Sequence, residues 1–234
     1  MRAARLESLL AAVPDEPALI DTRGLLLESP ATFGDGAGFV AVRDGGALLA
    51  AFGDPPERCF ERALELAAPG AELVATGAAV AAARRQLARE GERAFIHTLG
   101  AAGARRDDRW PEGELLAAAA TVAQFPEEIR REIEQVRGHR PVGVSVVDGR
   151  PVSICYPVLT TERWWDVSIE TLPGFRRQGR AAAAFLRLER AMRPTGLAPA
   201  WGAVESNTAS LALAAKLGFE RVAELYLFSG LGTR

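Results

Sequence analysis

Residues 166–184 read DVSIETLPGFRRQGRAAAA, from Asp166 to Ala184. Val167 and Ile169 alternate with Asp166, Ser168 and Glu170, the period of a half-buried strand. Pro173-Gly174 ends that strand. The alanine run after Gly179 favours a helix. A strand, a glycine-bearing turn and a helix therefore follow one another. The first backbone N–H groups of a helix have no internal acceptors, and the helix dipole adds positive charge there. Gly179 and Ala181 are small enough to let an anion reach the main chain, and Arg176, Arg177 and Arg180 would attract one. The same residues also describe a plain turn into an alanine-rich helix with solvated arginines.

Downstream, the helix over Gly179–Met192 stops before Pro194. A strand follows at Ala200–Glu205, a helix at Thr208–Leu217 with Gly218 closing it, and a last strand at Arg221–Phe228. Upstream, Pro126–Gly138 reads as a helix with Ile129, Ile133 and Val136 on one stripe. Val142–Val147 and Pro151–Val158 form a hairpin around Asp148-Gly149, and Trp164–Leu172 is the next strand. The order is α-β-β-β-α-β-α-β. Before it, Gly100–Gly113 (GAAGARRDDRWPEG) breaks every period and marks a connection. The chain divides there into an N-terminal domain, 1–112, and a C-terminal domain, 113–234.

The N-terminal part begins with a short amphipathic helix. Strands are expected at Arg23–Glu28, Gly38–Arg43 and Ala47–Phe52, the last two joined by Asp44-Gly45-Gly46. Helices are expected over Pro55–Ala68 and Ala78–Glu90, and strands at Glu72–Ala75 and Arg93–Leu99. This reads as a smaller α/β unit. No repeat of fixed period is visible.

Composition narrows the chemistry. The 234 residues are 48% apolar and 25% charged, a globular balance, and a net charge of −2 offers no global attraction for nucleic acid or acidic membrane. Aromatics are 7% and alanines number 44, so a core of Ala, Leu and Val is expected. Against 27 arginines stands one lysine, Lys216, and no Gly-x-x-x-x-Gly-Lys-Ser/Thr loop exists to hold a nucleotide phosphate. Cys59, Cys155, His97 and His139 lack metal-ligand spacing, so no metal is expected. No long uncharged apolar run exists, so no membrane helix is expected, and a cytoplasmic protein is the reading. Gly34-x-Gly36-x-Gly38 is not followed by a helix, and Gly143-Val-Ser145 lacks the closing glycine of a serine elbow.

Two motifs resemble the GNAT superfamily of acyl-CoA-dependent N-acyltransferases. Arg176-x-x-Gly179-x-Ala181 is similar to the family's Arg/Gln-x-x-Gly-x-Gly/Ala cofactor motif at a strand–turn–helix junction. Asn207-Thr208-Ala209-Ser210, running into a helix that ends at Gly218-Phe219, is similar to its second motif. The resemblance covers roughly residues 126–229 and is nearest the bacterial branch with an extra N-terminal region. It implies a GNAT-like fold of the α/β class, with a mixed sheet, beside the smaller N-terminal domain.

The resemblance further implies acetyl-CoA as cofactor. Main-chain groups of Ile169, Glu170 and Thr171 would pair with the pantetheine arm, where the 166–172 strand splays from 200–205. Arg176, Arg177, Gln178, Gly179, Arg180, Ala181 and Ala182 would hold the pyrophosphate. Asn207 and Ser210 would reach the arm, though Asn207 is equally a good helix N-cap. The reaction implied is direct acetyl transfer to an amine. It calls for a base or a water chain, because an ammonium is no nucleophile. Glu170, Glu205 and Asp166 are the candidate bases, each also a candidate ion-pair partner for an arginine. Relatives carry a tyrosine at the place of Ala214; here Ser210 or Tyr226 would have to act as acid, or the thiolate leaves unaided. The tandem Trp164-Trp165 fits an acceptor pocket or packing. A small-molecule amine is the expected acceptor. The alternatives are a non-catalytic acyl-CoA sensor and an enzyme acting on protein N-termini.

Overall fold

The computed structural model describes residues 2–28 and 30–232, arranged as two compact units. In chain order the first half forms α1 (Arg2–Ala12), α2 (Ile20–Leu27), β1 (Ala31–Asp35), β2 (Gly38–Val42), β3 (Leu48–Gly53), α3 (Glu57–Leu64), β4 (Ala71–Ala75), α4 (Ala78–Leu87) and β5 (Glu92–Leu99). The second half forms β6 (Glu114–Leu115), α5 (Glu127–Val136), β7 (Gly143–Val147), β8 (Arg150–Thr160), β9 (Trp164–Thr171), α6 (Arg180–Met192), β10 (Ala198–Val204), α7 (Thr208–Leu217) and β11 (Phe219–Leu231). The mixed α/β class read from the sequence is what the chain adopts.

The units are not contiguous in sequence. The first comprises 1–97, 202–208 and 221–234; the second comprises 98–201 and 209–220. The sequence boundary at 112 differs from this division in two ways. The connection 98–113 packs on the second unit, where the N–H groups of Gly100 and Arg105 donate to the carbonyls of Gly218 and Leu217 (3.2 and 2.8 Å). Two later segments also return to the first unit.

In the first unit the strand order is β1-β2-β3-β4-β11-β5. β2 pairs antiparallel with β1 and β3, β3 pairs parallel with β4, and β4 pairs antiparallel with β11. Alternation along β2 sends Val40 and Val42 into a cluster with Phe60, Ala79 and Phe228. Phe39 and Ala41 enter a second cluster with Leu9, Val13, Leu25 and Leu26. The expected strand at Arg23–Glu28 is instead helix α2. Leu25 and Leu26 are wholly buried there, and a short buried apolar run has no period that separates helix from strand. β1 has no counterpart among the expected strands; its half-buried ATFGD has little apolar pattern.

In the second unit the order is β10-β9-β8-β7-β6, with β9 and β10 parallel and the other pairs antiparallel. Helix α6 lays Ala182, Ala183 and Ala184 on this sheet, all buried. A Cβ at Gly143 would stand 2.1 Å from the Ala184 carbonyl oxygen, so the close approach needs glycine in β7. The expectation of a core with few large side chains fails here. Trp165, Phe185, Trp201 and Phe219 meet with ring centroids 5.3–6.1 Å apart. Their wide sequence spacing hides a cluster that small helix residues make room for.

Both halves of the chain share an order of elements. Three strands, a helix, a strand, a helix and a strand follow at least one opening helix, and the third and fourth strands pair in parallel each time. The sequence carries no trace of this repetition at a fixed period.

Candidate active site

The junction read first in the sequence lies wholly in the second unit. β9 pairs with β8 along its length, from Trp165 to Thr171. On its other edge the register with β10 covers only Trp164–Asp166 against Ala198–Ala200. β9 runs on to Thr171 past that last pair. The main-chain groups of Val167–Thr171 that alternate toward this edge are therefore outside the β9–β10 register, and an extended ligand can add there as a strand would.

After β9 a 3-10 turn, Pro173–Phe175, leads to Arg176 in extended conformation. Arg177 and Gly179 both take the left-handed conformation, at φ 61° and 75°. For arginine that costs free energy, and such strain gathers at ligand clamps. A Cβ at Gly179 would stand 2.5 Å from Trp110 Cδ1, so the indole closes the space on that side of the loop. Helix α6 then opens, and its first intrahelical bond beyond the cap runs from Ala183 N–H to the Gly179 carbonyl at 3.0 Å. The preceding amides have no helical acceptors and present an anion cradle.

The three arginines do different things. Arg176 donates to the Thr171 carbonyl at 2.9 Å and to Glu170 Oε1 at 3.1 Å, bracing the turn against β9. Arg180 points inward, 3.3 Å from Ser145 Oγ and 3.4 Å from the Val146 carbonyl. Arg177 faces solvent. Gln178, also exposed, donates to the Gly174 carbonyl at 3.2 Å. Ala181 is half-buried and Ala182 buried at the start of the helix.

The candidate bases fall in different units. Asp166, Ser168 and Glu170 alternate onto one face of β9, while Trp165 turns the other way and stacks on Phe185 of α6. Glu170 is ion-paired with Arg176 and also accepts the Thr171 N–H at 3.1 Å. Asp166 is half-buried, and its charge adds to the burial that pushes the Cys155 thiol well above its ordinary range. Glu205 and Asn207 lie in the first unit. There Arg93 binds Glu205 at 2.6 Å, and that hydrogen bond holds the carboxyl below its ordinary value. Asn207 is exposed at the entrance to α7, its own N–H donating to the Val204 carbonyl at 3.0 Å.

Ser210 accepts the Trp201 indole N–H at 2.9 Å. Ala214 is fully buried and brings no phenol to this helix. Tyr226 belongs to the first unit, opposite Ala75 on β4, with Arg84 4.7 Å above its ring. Trp165 is core, whereas Trp164 is half-buried with Arg163 5.7 Å from its ring.

Two residues on the Ser168 side escape the sequence reading. Tyr156 of β8, wholly buried and directly opposite Ser168, donates its phenol to Glu132 Oε2 of α5 at 2.7 Å. Burial and the Glu132 charge push the phenol above its ordinary value, while a hydrogen bond from Ser168 works against them. The available signal is small: Tyr156 is one of only two tyrosines, and Glu132 adjoins the apolar stripe at Ile133.

Residues 133–228 match the family model for GNAT acetyltransferases. That stretch carries the chain's similarity to the GNAT acetyltransferase family. Among solved structures, the chain is similar to a GCN5-related N-acetyltransferase-like protein from Streptococcus suis (19% identity, 99% of this chain and 100% of that one, TM-score 0.70). It is also similar to a GCN5-related N-acetyltransferase from Kribbella flavida (16%, 91% and 93%, TM-score 0.60). A tandem GNAT protein of the clavulanic acid biosynthesis pathway aligns over 99% of the chain and 96% of its own, at 13% identity and TM-score 0.57. At such identities the likeness is one of fold, and it extends across both units. Curated protein sequences give no match. Among the described residues, no group of three or more His, Cys, Asp or Glu is placed to hold a metal ion. No described helix is long and apolar enough to cross a membrane.

Proposed function

We propose that the protein transfers an acetyl group from acetyl-CoA directly to a primary amine of a small molecule. The observation that carries this reading is the open edge of β9 running straight into the Arg176–Ala182 loop. The edge suits a pantetheine arm, paired through the main chain of Ile169, Glu170 and Thr171. The loop suits its diphosphate, held by the amides at the start of α6 and attracted by Arg177. A β9 amide among Ile169–Thr171 would stabilise the oxyanion formed on the thioester carbonyl. The acceptor enters from the face that carries Asp166, Ser168 and Glu170.

Free CoA released from acetyl-CoA, measured by thiol reagent over a panel of alkylamines, polyamines and amino-acid amides, tests the reading. Acceptor-dependent release is the expected result. Ala214 supports a second reading, a non-catalytic acyl-CoA sensor, because the position has no phenol. A rise in melting temperature with CoA, together with no transfer to any amine, would select the sensor.

A further inference from the structure

Three hydroxyl and carboxyl groups, beginning on the acceptor face of β9, form a line. Ser168 sits two residues past the last β9–β10 pair, in the stretch that the thioester would occupy. Ser168 lies directly across the β8–β9 ladder from Tyr156, so the two side chains share one face of the sheet. The phenol donates in turn to Glu132 Oε2 at 2.7 Å. The cross-strand pair and this hydrogen bond thus lead from the edge of β9 toward a half-buried carboxylate on α5. The phenol is enclosed by Phe125, Ile133, Val136 and Val142, so water does not compete for it.

Several charges around this line are ion-paired, while Arg130 on α5 keeps a buried Nε without a hydrogen-bond partner. On β9, Glu170 is held by Arg176, and Asp166 lies two residues from Ser168 toward the start of the strand. On α5, Arg131 pairs with Glu127 and Arg137 with Glu134. Ile129, Gln135 and Val136, one turn from Glu132, are uncharged. Glu132 is the acceptor at the end of the line.

We infer that Ser168, Tyr156 and Glu132 form a proton relay that draws the proton from the acceptor ammonium and delivers it to Glu132. This rests on the acetyltransferase reading above. In the step, an ammonium N–H passes its proton to Ser168 Oγ, Ser168 passes its own to Tyr156 Oη, and Tyr156 passes its own to Glu132 Oε2. The freed amine lone pair forms the C–N bond at the thioester carbonyl, and the C–S bond breaks. A second amine proton leaves with the sulfur as the CoA thiol, and Glu132 later returns its proton to water. Ser168 alone would touch the substrate; Tyr156 and Glu132 act through it.

Glu132→Gln separates this from a purely structural hydrogen bond, because the amide oxygen still accepts from the phenol but takes no proton. With acetyl-CoA and the best amine of the panel, turnover near pH 7 should fall by about 10²–10⁴, the range of a general base. The loss should shrink as pH rises toward the amine's own pKa, where the free amine needs no relay. Glu132→Asp should restore part of the rate. A structural role predicts instead a deficit that is constant with pH. Tyr156→Phe and Ser168→Ala should share the pH-dependent deficit, and they carry the test if Glu132→Gln does not fold. If the wild-type protein acetylates an amine and Glu132→Gln matches it within about threefold at every pH, the relay is wrong while the acetyltransferase reading stands. If the wild type acetylates nothing, both fall together.

Discussion

Glu205 is attractive as a base because it follows directly on the strand β10, yet its environment works against that role. A carboxylate already satisfied by Arg93 at 2.6 Å is a weaker proton acceptor than a free one. Glu205→Gln is therefore expected to leave turnover within about threefold of wild type in a steady-state assay, well short of the loss from removing a general base. Asp21 shows the opposite electrostatics. Burial pushes its carboxyl up to about 6 from 3.8, against the pull of Arg43. The folded state thus keeps the proton to higher pH than the unfolded chain, so this group removes stability as pH rises through that interval. Asp21→Asn should raise stability above pH 6 by on the order of 2–3 kcal/mol, because each tenfold gain in proton affinity on folding corresponds to about 1.4 kcal/mol. It should have no such effect below the ordinary carboxylate value, as urea melts at acid and neutral pH would reveal. Motif residues such as Gly179 and Asn207 can be read from spacing alone. The engagement of Glu170 and Glu205 by Arg176 and Arg93 cannot, since with 27 arginines in the chain any carboxylate has many candidate partners.

The turn between β9 and α6 combines a left-handed glycine with an indole against its α-carbon. Gly179→Ala meets two costs, the positive φ and the contact with Trp110. It should lower the melting temperature modestly and abolish the upward shift given by CoA. Adding Trp110→Ala removes the steric cost alone, so the double variant should regain part of the stability but little of the CoA shift. If the single variant keeps the full CoA shift, the loop is not the anion cradle. Helix α7 carries a related lesson. Ala214→Tyr forces a ring into a buried position, and overpacking of this kind costs about 1–3 kcal/mol. It should lower thermal stability without improving turnover. Elements with a clear period or clear punctuation, such as α5, α6 and the β7–β8 hairpin, are legible in the sequence. Segment 23–28 and β1 are not, because a run of leucines and a run of small polar residues each lack a diagnostic repeat.

The two halves of the chain repeat one order of elements but differ where a cofactor would enter. In the first, β3 and β4 stay paired from Leu48–Ala51 against Glu72–Ala75, and β3 ends in Gly53-Asp54-Pro55-Pro56 in place of an Arg-x-x-Gly-x-Ala loop. Proline lacks an N–H, so this turn has fewer amides to offer a diphosphate. Equilibrium dialysis with CoA should give one site per chain; a second site would show that the first unit also binds. The repetition is invisible in the sequence because packing constrains polarity and volume rather than residue identity.

The first unit precedes the second in sequence, but the strand residues that finish it follow the second unit's residues. β4 pairs Leu73, Val74 and Ala75 with Phe228, Leu227 and Tyr226 of β11, and the Phe228 ring is wholly buried in that core. During synthesis, N-terminal domains generally fold first, while the chain lengthens by about 5–20 residues per second. Here that order is inverted. That unit has to wait, with Leu73 and its neighbours uncovered, until the ribosome has added β11, after all the residues of the second unit. A nascent chain halted before Tyr226 would hold neither a finished first unit nor a way to make one, and would be a substrate for chaperones until β11 emerged.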